Sequence, residues 1–269
     1  MPSAVVMIPR LRQSSTAAWV TQRHFPRVPL WPLDISQVLH HSFVMTSRFV
    51  SAQPQNILQT VFATASSDLG TGPNFNVSQG QKVSVVRRNM VTGRRELQLM
   101  HWGLIPSWSK GRGKQPTAAP VERLKTSGMF RLAVALRRCI VPMDAFYEWD
   151  QTTRAQQPFA FDRQDRALLA VAGLWDLWQD PFGYEVSSFS IITTTANTLM
   201  AAVHDRMPVV LEPEDWDVWL NKGPLELLRP AREDVLCRWR VSNRVNERDN
   251  NDSRNLISAT ASLPFQKIH

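Results

Sequence analysis

From residue 45 onward the apolar positions recur with two periods, one helical and one alternating; before it neither period holds. Ile57, Leu58, Val61 and Phe62 fall at helical spacing after Pro54 and predict a helix there. Residues 82–87 and 96–100 alternate, predicting two strands around a turn at Thr92-Gly93. Residues 139–142, 159–161, 168–174 and 189–195 read as further strands, the first of them buried. Ser127 is placed to cap a helix whose apolar face carries Phe130, Ala133, Val134 and Leu136. Residues 196–203 predict a short helix. Residues 213–220 predict another, with Pro213 in its first turn and Trp216, Trp219 and Leu220 on one face. Residues 45–50 are short and mixed, and residues 67–73 form a turn cluster.

No internal repeat is visible, and no Pro/Gly/Ser linker splits residues 45–260. That organisation implies one α+β domain with a curled sheet at its centre and short helices around it. Residues 1–44 differ. Their first acid is Asp34, preceded by Arg10, Arg12, Arg23 and Arg27 and by prolines at 2, 9, 26, 29 and 32. Arg and Ser without acids suit a targeting peptide, whereas the prolines oppose the amphipathic helix such a peptide needs. A flexible tail or an upstream start codon is the other reading, and residues 261–269 are expected to be a tail.

Composition narrows the function classes. Two Cys, at 139 and 237, exclude a disulfide scaffold and a Cys-rich zinc site. No apolar run reaches the roughly 18 residues of a membrane span. The formal net charge is +8, and 25 of the 31 basic residues are Arg. Guanidinium contacts phosphate bidentately and stacks on flat rings. Ten Trp accompany it, a pairing that suits single-stranded nucleic acid, although a GC-rich genome would also favour Arg over Lys.

Nucleotide-loop, zinc-protease and nucleophile-elbow motifs are absent. The adjacent His40 and His41 would point to opposite faces of a strand and make a poor metal site. Four segments stand out. Residues 100–108, Met-His-Trp-Gly-Leu-Ile-Pro-Ser-Trp, make a poor regular element and suit either base stacking or a core turn. Residues 141–149 surround Asp144 and Glu148 with apolar groups, so those carboxylates need partners if buried. Residues 203–208 bring His204, Asp205 and Arg206 together at a helix–strand junction, as a catalytic loop or a structural ion pair. Residues 240–246 alternate Arg and Asn, as a phosphate contact or a solvated edge strand.

In this order the segments resemble the SOS-response-associated peptidase family, the abasic-site-processing proteins. The resemblance rests on Met-Thr-Ser-Arg-Phe at 45–49, Phe-Asn-Val-Ser at 75–78, His-Trp-Gly-Leu-Ile-Pro-Ser-Trp at 101–108 and Ala-Ala-Pro-Val-Glu at 118–122. It continues through Arg-Cys-Ile-Val-Pro-Met-Asp-Ala-Phe-Tyr-Glu-Trp at 138–149, His-Asp-Arg-Met-Pro at 204–208 and Val-Ser-Asn-Arg-Val-Asn at 241–246. It spans residues 45–258 and implies a single domain with a mostly antiparallel sheet. In the family an N-terminal Cys condenses with the aldehyde of an abasic sugar in single-stranded DNA, and its thiol closes the imine to a thiazolidine. A Glu and a His handle protons and an Asn positions the reacting group.

Carried over, the Glu is Glu122, 17 residues before Cys139, the His is His204 and the Asn is Asn76. Arg48, Trp102, Pro106, Trp108 and Arg206 match DNA-holding positions. The resemblance implies single-stranded or abasic DNA as partner, no cofactor or metal, no membrane, a monomer and a cytoplasmic place, nucleoid-associated if the source is bacterial, with organelle targeting by residues 1–44 left open. The departures are specific. Thr46 and Ser47 stand where the family has Cys-Gly, Ala118-Ala119-Pro120 replaces Asn-Ala-Arg, and His101 replaces an Arg. Three readings stay open: altered imine chemistry at Thr46, a non-catalytic single-strand binder, or a hydrolase using Thr46 or Ser47 with Glu122 and His204.

Overall fold

A computed structural model describes residues 48–66 and 70–258. Thr46, Ser47, the segment 1–44 and the tail 261–269 lie outside the described residues, as does part of the turn cluster at 67–73. The described strands are β1 (Arg48–Ser51), β2 (Ala65–Ser66), β3 (Asn74–Ser78), β4 (Lys82–Arg88), β5 (Arg95–Trp102), β6 (Ala118–Pro120), β7 (Arg138–Met143), β8 (Ala145–Trp149), β9 (Pro158–Arg163), β10 (Leu169–Gln179), β11 (Glu185–Thr195), β12 (Arg206–Pro208) and β13 (Leu236–Arg240). Four short helices accompany them: α1 (Gln55–Phe62), α2 (Arg131–Leu136), α3 (Thr198–Ala201) and α4 (Trp216–Leu220).

One sheet has the order β13-β9-β8-β1-β3 and is antiparallel throughout. The other runs β12-β11-β10-β7-β4-β5-β2. Its strand β11 also pairs in parallel with β5, through Ser188 opposite His101 and Phe189 opposite Trp102. That pairing closes β11-β10-β7-β4-β5 into a ring, which leaves these strands without a free edge. Closure needs close backbone approach at Gly173. A Cβ there would stand 2.9 Å from the Cys139 sulfur and 3.1 Å from the Ser190 carbonyl oxygen.

Alternation along the strands sends side chains into two cores, as expected where both faces are covered. Val83, Val85, Cys139, Val141, Phe189 and Ile191 face one cluster, joined there by Phe49, Phe146 and Phe161 from the first sheet. Val86, Ile140, Ala172 and Ile192 face the other, under α1, α2 and α4. A third cluster sets Val50, Tyr147 and Ala160 against Val241 and Val245.

The single α+β domain and its curled sheet are as read from sequence, with local differences. Residues 45–50 carry no clear strand pattern, yet β1 lies in the middle of its sheet, between β8 and β3. Ser127 accepts a hydrogen bond from the Met129 N–H (3.2 Å) and shapes the turn before α2 instead of capping it. Leu136 lies four residues after Leu132, so both fall on the exposed side of α2, opposite Phe130, Ala133 and Val134. Residues 243–246 form a 3-10 turn, not an edge strand. Among the described residues no helix is long and apolar enough to cross a membrane, and no group of three or more His, Cys, Asp and Glu could hold a metal ion.

Candidate functional site

Strand β11 brings three of the expected residues together. Thr193 pairs with Pro120 on one side and Pro208 on the other, so Glu122, just after β6, lies beside Arg206 at the start of β12. Arg206 grips Glu122 with both arms, Nη1 to Oε1 at 2.8 Å and Nη2 to Oε2 at 3.0 Å, and Nη2 also donates to the Thr193 carbonyl at 2.9 Å. This fork geometry is the strong form of a carboxylate–guanidinium pair. The Arg206 hydrogen bonds hold the Glu122 carboxyl below the usual carboxylate range.

His204 is buried beside them. Its Nδ1 accepts the Arg206 backbone N–H at 2.9 Å, which puts the proton of the neutral ring on Nε2. Asp205 lies 3.0 Å from the same nitrogen and favours the cation, but burial outweighs it and lowers the imidazole pKa from 6.5. The ring is therefore neutral at pH 7. Unfolding restores the ordinary pKa, so below it the unfolded chain binds a proton that the folded chain refuses. Stability is expected to fall as the pH drops below about 6.5 and to level off once the folded ring itself protonates. Urea midpoints at pH 7 and 5.5 test this, and His204→Gln is expected to flatten the change. Glu122 adds a loss in the same direction only at lower pH, as acid reaches the carboxylate range.

A second group lies at the start of β1. Arg48 donates to Asn76 Oδ1 (3.3 Å), to the Val245 carbonyl (3.2 Å) and to the Asn246 carbonyl (3.4 Å). The Asn76 amide nitrogen lies within 3.2, 2.8 and 3.3 Å of the carbonyls of Val245, Glu247 and Asn250. Both side chains are buried and hold residues 245–250 against the sheet. Burial, and after it the nearby Arg248, lowers the Arg48 pKa. The end of β8 joins the two groups. Trp149 Nε1 donates to Asn246 Oδ1 at 2.8 Å, and the Gln151 N–H donates to the Val203 carbonyl, next to His204, at 3.2 Å. Spacing gave no hint of this clasp, because most of its acceptors are backbone carbonyls, which residue type does not mark.

Trp102 corrects an expectation. It is fully buried, edge-on to Phe49 at 4.8 Å between ring centroids and stacked near Phe189, with its N–H donating to the Thr117 carbonyl at 3.1 Å. It has no free face for a base. Pro106 is buried too, so it offers no wedge to a DNA strand as it sits here. Trp108 is exposed. Its loop is fixed from below: Gly103 turns at φ +126°, Ile105 N–H donates to Ser188 Oγ (2.8 Å), and Ser107 N–H donates to Asp176 (3.0 Å). Arg137 neutralises that buried Asp176 at 2.7 Å. Asp144 finds its partners in the Ala52 N–H (2.7 Å) and the Gln53 amide (2.6 Å). Cys139 is buried, and burial pushes its thiol pKa far up, so it supplies no thiolate.

The family model of the SOS response associated peptidase matches residues 45–248. The chain belongs to that family. It is 35% identical over 188 residues to the abasic site processing protein YoqW of Bacillus subtilis, covering 66% of this chain and 83% of that one. It is 27% identical over 216 residues to the abasic site processing protein HMCES of Xenopus tropicalis, covering 66% of this chain and 64% of that one. A crystal structure of a Bordetella bronchiseptica protein superposes with a TM-score of 0.65 at 27% identity, over 73% of this chain and 99% of that one. A Bacteroides thetaiotaomicron protein superposes with a TM-score of 0.72 at 22% identity, over 79% of this chain and 99% of the other, a likeness of fold.

Proposed function

We propose that this family member binds single-stranded DNA at abasic sites, and that the lasting crosslink made through a family Cys is lost because Thr46 stands in that place. The observation that carries the reading is the joined pair of groups around the end of β8. Glu122, His204 and Arg206 sit on one side, and Arg48, which follows Thr46 by two residues, sits on the other. Retention of the acid and the imidazole favours reversible imine chemistry over mere binding. Water leaves when an amine condenses with an aldehyde, and that departure needs a proton donor and an acceptor.

Arg206 has two roles in this reading, and they compete. While it clamps Glu122, the carboxylate is a weak base. A DNA phosphate that recruits the guanidinium would release Glu122 and return its pKa toward 4.5, the ordinary value. Arg206→Ala is expected to raise the Glu122 pKa, read by NMR titration, and to weaken single-strand binding. The logarithmic salt slope should become shallower by about 0.7, the share of one phosphate in a single strand. Fluorescence anisotropy on labelled oligonucleotides tests the whole proposal. Single strands should bind more tightly than duplex, and equal affinity for both, or none for either, would overturn it.

A further inference from the structure

We infer that the tip of the β10–β11 hairpin is a second base-stacking platform, continuous with the Trp108 loop, that takes single-stranded nucleic acid beyond the central site. This rests on the single-strand reading above. Trp108, Phe182 and Tyr184 are 60%, 86% and 72% exposed. Isolated apolar residues on a surface need no explanation, but three aromatic rings on two adjoining loops do.

The loops are physically tied. Trp178, near the end of β10, donates its indole N–H to the carbonyl of Ser109, the neighbour of Trp108, at 2.7 Å. Across the hairpin Trp178 pairs with Val186 and Gln179 with Glu185, so the tip begins at Asp180, two residues beyond Trp178. The tip is itself built. The Asp180 carboxylate accepts the N–H groups of Phe182 (2.8 Å) and Tyr184 (2.9 Å), and Gly183 supplies the φ of +90° the turn requires. The two rings are thus presented by an ordered turn, which lowers the entropy cost of stacking.

Charge selects the occupant. Lys110, Arg112 and Lys114 follow Trp108 on its loop and lie in no ion pair among the described residues. Asp180 and Glu185 stand at the tip. A strand fits this pattern with its phosphates along the cationic loop and its bases turned onto the aromatic tip. A neutral protein partner would leave the cations unused, and an acidic one would bring its carboxylates against Asp180 and Glu185 beside the rings, whereas the bases of a strand are uncharged. From Tyr184 to Thr193, beside Arg206, β11 runs nine residues, ~30 Å at ~3.3 Å each. That is about nine nucleotides at the ~3.4 Å spacing of a stacked strand.

The test measures the full chain and its Phe182→Ala/Tyr184→Ala variant against single-stranded 6-mers and 20-mers by fluorescence anisotropy, with melting temperature as the check on folding. The variant is expected to melt with the wild type, to bind the 6-mer equally, and to lose about ten-fold in affinity for the 20-mer. Equal 20-mer affinity in both proteins, or an equal loss on both lengths, overturns the platform and leaves the single-strand reading standing. Failure of the wild type to bind either oligonucleotide overturns that reading and the platform with it.

Discussion

With Trp102 replaced by alanine, the protein is expected to lose about 3–5 kcal/mol of stability, whereas Trp108→Ala is expected to melt like the wild type and to lose about 1–3 kcal/mol of single-strand affinity. The two residues are six apart in one motif, and their burial separates them. Trp102 is enclosed where β5 meets β11, with Phe49 and Phe189 around it and its N–H satisfied by Thr117. Truncation there leaves a cavity at the seam where β5 meets β11, while the Thr117 carbonyl keeps the Ile191 N–H (2.8 Å) as a donor. For a domain of this size the melting temperature should drop on the order of 10 °C. Trp108 has only solvent to lose. Calorimetry and anisotropy on both variants decide the matter. A Trp102→Ala protein that melts normally and loses affinity would reverse the assignment of core and platform.

Six of the thirteen described strands, β4, β5, β7, β9, β10 and β11, were legible because they carry a clear apolar period, whereas the shorter or mixed ones, such as β1, β6 and β12, carry none. Val83, Val85 and Val86, and Cys139 to Pro142, announce themselves by apolar density alone. Glu122, His204 and Arg206 were legible through motif resemblance, and their contacts were not. Nothing in the spacing of Glu122 and Arg206, 84 positions apart, says that they form a forked ion pair. That pair exists because β6 and β12 both register against β11. Asn76 and Arg48 show the opposite limit. The resemblance implies a substrate or DNA contact for them, yet their amide and guanidinium N–H groups donate to carbonyls of residues 245–250. Trp102 and Trp108 look alike in the sequence, since an aromatic residue suits a core and a stacking surface equally well. Only the barrel seam tells them apart.

The 269-residue chain is expected to form no heat-stable adduct with abasic single-stranded DNA. The reason is chemical. An amine and an aldehyde lose water to give an imine, which water can reverse. Permanence in the family comes from a thiol on the adjacent carbon adding to that imine and closing a five-membered ring. Thr46 offers a hydroxyl, whose ring product hydrolyses easily, and in this chain its nitrogen is an amide, which is not nucleophilic. Cys139 gives no rescue, because burial keeps its thiol protonated inside the core. Borohydride should therefore trap an imine only from a chain that begins at Thr46. Trapping should weaken in Glu122→Gln and His204→Ala if the neutral imidazole and the carboxylate move the protons of condensation. Arg206→Ala separates these roles from simple binding: it frees Glu122, so trapping per bound DNA should hold even where affinity falls. Thr46→Cys with Ser47→Gly, in the chain beginning at residue 46, should restore an adduct that needs no borohydride. A shifted band on a denaturing gel from the unmodified 269-residue chain would falsify this reading of Thr46. Failure of the Cys-Gly chain to crosslink while it still binds would instead point to the missing Asn-Ala-Arg side chains at Ala118, Ala119 and Pro120, where β6 now presents no guanidinium to the strand.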